Sequence, residues 1–169
     1  MSKELELNLG QLLLILLAQT SKILDKKYQK QLKKIGLPGE YFAILHEIDC
    51  LDGEATPHAV ARTMIFEPHT ISTNISKMER EGLVTKTKNM KYKHMVRIEI
   101  TDKGKALLDE AWKIMSKTDG YWKTAISESE VRQLILSLTK IRDKNISSVF
   151  SNTKKLTDFT VKGPFYDSE

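Results

Sequence analysis

Thirteen residues, Thr85 to Arg97, contain five cations and no acid: Lys86, Lys88, Lys91, Lys93 and Arg97. A segment of this kind neutralises phosphates and releases their counterions, so its chemistry is salt-dependent attraction to a polyanion. The chain carries 27 basic and 22 acidic residues, net +5; with these five cations set aside, 22 face 22, so the whole excess is local. Just ahead of it stand His69, Thr70, Ser72, Thr73, Ser76 and Lys77, short donors and acceptors plus one cation. Such groups are suited to contacts with base edges and phosphates. His46 and Cys50 lie four apart, on one face of a helix, which suits a shared metal or an activated thiolate. A metal site usually needs three or four ligands, and no compact set completes this one. Cys50 is left as a small buried apolar residue or an oxidant-sensing thiol. With no glycine-rich phosphate loop, ligand cluster or nucleophile motif, neither an enzyme nor a cofactor is expected.

The elements that must position these groups follow from periodicity and punctuation. Leu5 to about Lys34 has helical apolar spacing, interrupted only by Gly10, and Leu12 to Leu17 is apolar on all sides, which calls for a second neighbour such as a partner chain. Gly36 and Pro38 end that helix, and a second follows over about Pro38 to Leu51. Thr56-Pro57 supplies an N-cap and a first helical residue for a short helix to about Met64. Pro68 opens another, with Ile71, Ile75 and Met78 facing inward and Gly82 as its stop. Leu83 to Lys88 predicts a strand, and Val96, Ile98 and Ile100 alternate with Arg97 and Glu99 as a second, half-buried strand. Asn89 to Lys93 then forms the hairpin tip. A helix from Thr101 to about Lys123 follows, and Ser127 with Glu130 begins the last one as a capping box. Its positions Val131, Leu134, Ile135, Leu138, Ile141 and Val149 make a near-heptad stripe.

At 169 residues, 40% hydrophobic and 29% charged, the chain suits one folded domain and excludes wholesale disorder. One cysteine cannot form an internal disulfide, and the start Met-Ser-Lys-Glu lacks a signal-peptide pattern, so a cytoplasmic protein is expected. The longest apolar run, Leu12 to Ala18, is too short for a membrane span, and no membrane partner is expected.

Helix, turn, helix and basic hairpin in this order make a winged helix-turn-helix. With Gly82-Leu83-Val84, Ile100-Thr101-Asp102-Lys103-Gly104 and Tyr41-Phe42-Ala43-Ile44-Leu45, the chain resembles the MarR family of bacterial transcriptional regulators over most of its length. The resemblance implies a mainly α fold with a small β-hairpin wing and long N- and C-terminal dimerisation helices. It implies one domain over about 1–150, with a DNA-binding lobe at about 38–100, a dimerisation region at about 5–34 and 101–150, and a C-terminal tail at 151–169. It further implies a homodimer on a pseudo-palindromic operator in double-stranded DNA, acting as a repressor and released by a small-molecule effector or oxidant. On DNA, His69, Thr70, Ser72, Thr73, Ser76 and Lys77 form the recognition face, and Lys86, Lys88, Lys91, Lys93, His94 and Arg97 the wing. Two departures stand out. Tyr92 and His94 occupy the places of the family's wing-tip acid and arginine, and Thr73 stands where an arginine is frequent, so a weaker or differently specified operator contact is expected. Lys91 or Lys93 would take over the arginine's phosphate contact without its planar fork.

Leu13, Leu17, Phe42, Trp112 and Met115, with Tyr121 and Trp122 nearby, are either core packing or the lining of an apolar effector pocket. Arg97 contacts DNA or pairs with an acid such as Glu99. The alternative to a regulator is a winged-helix protein-interaction module whose basic hairpin binds an acidic protein. The tail, with Phe159, Val161, Phe165 and Tyr166, is an arm on a partner subunit or a loose end.

Overall fold

The computed structural model describes residues 8–88, 96–117 and 123–149. Helix α1 spans Leu9–Leu32. The Asn8 side chain accepts from the Gln11 N–H at 2.9 Å, and the Gln11 side chain accepts from the Asn8 N–H at 3.0 Å. This reciprocal cap satisfies two N–H groups that no preceding turn could reach. It starts the described helix at Leu9, the expected Leu5 start lying outside the described residues, and puts Gly10 in the first turn, where it interrupts nothing. A 3-10 turn, Lys33–Ile35, follows, and Gly36 reverses the chain at φ +69°. Pro38 is the N-cap of α2, Gly39–Cys50, so that this helix begins one residue later than expected.

Helix α2 is the hub. Its Ile44 and Leu45 are fully buried, each stabilising the fold by about 1.5–3 kcal/mol. Around it pack α1, α3 (Pro57–Thr63), α4 (Pro68–Arg80), the strand β2 (Val96–Ile100) and α5 (Asp102–Ser116). Thr56 caps α3 by accepting from the Ala59 N–H at 3.0 Å, and Pro57 and Pro68 occupy the first turns of their helices. The turn between α3 and α4 holds Ile65 at φ +58°, a left-handed conformation that is costly for a β-branched residue.

Strand β1, Val84–Lys88, pairs antiparallel with β2, Val84 opposite Ile100 and Lys86 opposite Ile98. Val84 and Ile98 are buried, in keeping with the alternation read in β2. Helix α5 spans Asp102–Ser116 with Lys117 as C-cap; of the expected extension to Lys123, residues 118–122 lie outside the described residues, and Lys123 is helical. Helix α6, Glu128–Val149, begins at the Ser127–Glu130 box, with Ser127 N–H donating to Glu130 Oε2 at 2.7 Å. No helix among the described residues is long and apolar enough to cross a membrane.

The turns around β1 and β2 are joined at one point. Gly82, at φ +72°, closes α4, the Thr101 N–H donates to the Leu83 carbonyl at 3.1 Å, and the Thr101 hydroxyl donates to the Gly82 carbonyl at 2.7 Å. Gly104 lies directly against this joint, where a Cβ would overlap the Leu83 carbonyl and come within 2.7 Å of Ile100 Cγ2. Gly104→Ala is therefore expected to lower stability by about 1–3 kcal/mol in urea unfolding. Gly10→Ala, at the head of α1 where a Cβ would meet only Asn8 Oδ1 at 3.4 Å, should be neutral or gain up to about 1 kcal/mol.

The Glu130 carboxyl is held below its ordinary range by the side-chain and then the backbone hydrogen bond of Ser127. A lowered carboxylate pKa stabilises the fold above the unfolded value, and that contribution disappears as pH falls through the folded value. Glu130→Gln should flatten the acid limb of the pH–stability curve.

Candidate nucleic-acid interface

Helix α4 is anchored by one face. Ile71, Ile75 and Met78 are buried as their spacing predicts, and Asn74, which no sequence motif singles out, shares their stripe at 8% exposure. Its amide donates to Glu40 Oε2 on α2 at 3.1 Å, a polar contact that fixes the rotation of α4 about its axis. A polar residue three and four positions from buried ones was the available signal, since a buried polar side chain needs a hydrogen-bond partner. At the far end of α4 the Tyr41 hydroxyl donates to Glu81 Oε1 at 3.3 Å. Burial, then the neighbouring Glu81 charge and hydrogen bond, raises the phenol pKa above its ordinary value and keeps it a donor.

On the opposite face His69, Ser72, Thr73 and Lys77 are exposed, and Thr70 is half-buried beside His69. Ser76 is also half-buried and already engaged: its hydroxyl donates to the Ser72 carbonyl at 2.9 Å and accepts from Lys86 Nζ at 2.8 Å. Four of the six proposed recognition residues thus stand clear of the fold.

The hairpin differs more from expectation. Lys86 lies opposite Ile98 and turns toward α4, where its ammonium pairs with Glu79 at 2.9 Å. Arg97 pairs at 3.6 Å with Glu54, in the connection between α2 and α3, and not with Glu99. In the same region the Ile98 N–H donates to the Ala55 carbonyl at 2.9 Å. Two of the five cations are thus paired with acids of this chain, Arg97 in an exposed pair. Lys88 belongs to β1, whereas Lys91, Lys93, His94 and Tyr92 lie outside the described residues.

Of the candidate pocket residues, Phe42 and Trp112 meet edge to face with ring centroids 5.2 Å apart. His46, assigned on sequence to a metal or thiol pair with Cys50, joins them: its ring is edge-on to Trp112 at 5.1 Å and stacked with Phe42 at 6.4 Å. Cys50 Sγ lies 3.7 Å from His46 Nδ1. Among the described residues no group of three metal-ligating side chains is assembled. Met115 is buried, Leu17 half-buried and Leu13 exposed at 42%. Tyr121 and Trp122 lie outside the described residues.

A family model described as a winged helix DNA-binding domain matches residues 39–104. The HTH-type transcriptional regulator BilQ of Clostridioides difficile (strain CD3) is 32% identical over 79 residues, 47% of this chain and 53% of that protein. The match thus spans about half the length of that curated relative. The organohalide-sensing transcriptional regulator RdhR, in its 2,4-dichlorophenol-bound form, is 38% identical with a TM-score of 0.80 over 91% of each chain. Its ligand-free form superposes with a TM-score of 0.79. A cysteine mutant of MarR from E. coli, complexed with operator DNA, has a TM-score of 0.70 at 16% identity, over 80% of this chain and 99% of that one.

Because Asn74 and Glu40 join α4 to α2, Asn74→Ala is expected to cost about 0.5–1.5 kcal/mol in urea unfolding through loss of this hydrogen bond, the exposed Glu40 carboxylate being left to water. Thr73→Ala, on the exposed face, should leave stability within about 0.5 kcal/mol.

Proposed function

The chain belongs to the MarR family of winged helix-turn-helix transcriptional regulators, and from that membership we propose that it acts as a homodimeric repressor on an inverted-repeat operator. The observation that carries the reading is the split character of α4. One stripe is locked to α2, while His69, Ser72, Thr73 and Lys77 face solvent beside a hairpin that holds the chain's excess positive charge. A helix so held can lie in the major groove, with the hairpin supplying phosphate contacts. The lobe that does this is about 38–100, and its work belongs with the chromosome in the cytoplasm. No catalytic step enters the reading.

The dimer is supported by apolar side chains that the single chain leaves uncovered. On α1 these are Leu9, Leu12, Leu13, Leu14, Ile15 and Leu16, and on α6 Leu134, Ile135, Leu136 and Ile141. Exposed apolar surface of this extent marks a protein interface. The segments 5–34 and 101–150 are accordingly the proposed dimerisation region. A twofold arrangement places the two recognition helices on one side of the duplex, about one helical turn apart.

For the effector we propose a small phenol-type aromatic, supported by the 2,4-dichlorophenol-bound form of RdhR at 38% identity. The Phe42–Trp112 pair would offer aromatic walls, with Leu13, Leu17 and Met115 as the proposed further lining, and a His46 ring nitrogen would accept from a phenol hydroxyl. Release requires the ligand to bind more tightly to a dimer whose recognition helices misfit the operator, since equal affinity for both states shifts nothing.

Fluorescence anisotropy on the duplex flanking the gene, with random duplex as competitor across a salt series, tests the reading. Specific binding with a steep salt slope is expected, and Lys77→Gln should flatten that slope by about 0.9 for each phosphate it no longer neutralises. Binding without preference, or none, would move the weight to a protein-interaction module. Leu12→Glu with Leu16→Glu should yield monomers in sedimentation and abolish operator binding.

A further inference from the structure

Lys86 belongs by sequence with the cations that would meet phosphate, but its surroundings in the fold are different. Its side chain is 26% exposed, its ammonium lies 2.9 Å from Glu79 Oε2, and it donates to Ser76 Oγ at 2.8 Å. The Ser76 hydroxyl in turn donates to the Ser72 carbonyl at 2.9 Å. Ser72, Ser76 and Glu79 follow one another at spacings of four and three, so they form a single edge of α4. That edge lies beside the face of His69, Thr73 and Lys77.

We propose that Lys86 is a positioning residue, a strut that fastens β1 to this edge of the recognition helix and so sets the angle between hairpin and helix. The proposal rests on the DNA-binding reading for its consequence, because the angle matters only if both elements meet the same duplex. The hairpin is moored on both strands: β1 to α4 through Lys86, and β2 to the segment before α3 through the Ile98–Ala55 backbone bond and the Arg97–Glu54 pair. Losing the first mooring loosens β1 beyond the buried Val84, while the base of the hairpin stays tied at Leu83 and Thr101.

Electrostatics separates this role from a phosphate contact. If Lys86 served phosphate directly, Glu79 would be a competing anion near the DNA, and removing its charge would tighten binding. If Lys86 is a strut, Glu79 is half of the joint, and removing its charge loosens binding. An ion pair this exposed stabilises modestly, so effects of about fivefold in operator affinity are expected.

The experiment compares Glu79→Gln, Lys86→Gln, Lys86→Arg and the Glu79→Gln, Lys86→Gln double variant in the full chain. Operator and random-duplex affinities are measured by anisotropy, and backbone amide exchange over 84–88 and 96–100 is followed in the free protein. The strut predicts that both single glutamine variants weaken operator binding, that the double variant is no worse than the weaker single one, and that Lys86→Arg retains most of the affinity. Random-duplex binding by Glu79→Gln should stay at the native level or rise, and strand amides should exchange faster in both glutamine variants. Tighter operator binding by Glu79→Gln, with additive effects in the double variant, would overturn the proposal in favour of a phosphate contact. Unchanged amide exchange in both single variants would overturn it as well. A native chain that prefers no duplex would defeat the regulator reading instead, and the strut would then stand or fall on the exchange measurement.

Discussion

The Leu83 carbonyl is where the fold is tied together. The end of α4, the start of β1, the end of β2 and the start of α5 all arrive there within a few residues. The Leu83 N–H donates to Met78, its carbonyl accepts from Thr101, and Gly104 packs against it with no room for a side chain. Thr101 adds its hydroxyl bond to Gly82, and Lys103 donates to the Glu81 carbonyl at 2.8 Å. Backbone bonds and close contact leave no slack of the kind a chain of long side chains would provide. The end of the recognition helix, the base of the hairpin and α5 are thereby held together at this point, while in the proposed strut the strands beyond it take their angle from Lys86 and Glu79. Since α5 also carries Trp112 and Met115, strain applied to α5 would be passed through this joint toward α4, because close-packed interiors transmit strain.

The parts of this arrangement that were legible in the sequence are those decided locally. Thr56-Pro57, Pro68, Gly82 and the Ser127–Glu130 box act within four residues of themselves, and the alternation in Val96, Ile98 and Ile100 records one buried face of one hairpin. The start of α1 was equally local, in Asn8 and Gln11, but the long apolar run beyond it drew the boundary toward Leu5. What spacing could not reveal were partners brought together by the fold. Lys86 finds Glu79 and Arg97 finds Glu54 across the packing of separate elements. His46 reads as half of a cysteine pair until α5 brings Trp112 against it. Charge counting registers cations along the chain but carries no information about which acids the fold sets beside them.

That distinction changes the electrostatic account of the hairpin. Net charge governs attraction at a distance, where an internal pair contributes little because its two fields nearly cancel. Lys86 and Arg97 still count in the total of +5, yet the acids they face count against them at the same place. If the hairpin meets DNA as proposed, its long-range attraction would fall to Lys88 with Lys91 and Lys93, which lie outside the described residues. With no planar guanidinium among these three, contacts at the hairpin would be point-like, and in the proposed complex discrimination between operators would depend more heavily on the α4 face.

That face is itself short on charge. Of His69, Ser72, Thr73 and Lys77 only the last is a full cation, so a single lobe has few strong bonds with which to hold a duplex. Pairing two lobes is the physical remedy, because two modest contacts on one rigid body act together. Rigidity then has to come from the dimer interface. Leucines and isoleucines uncovered along α1 and α6 provide it in the proposed dimer, where their burial would stabilise each chain and fix the separation of the two recognition helices. Fold stability and operator geometry would then rest on the same apolar surface.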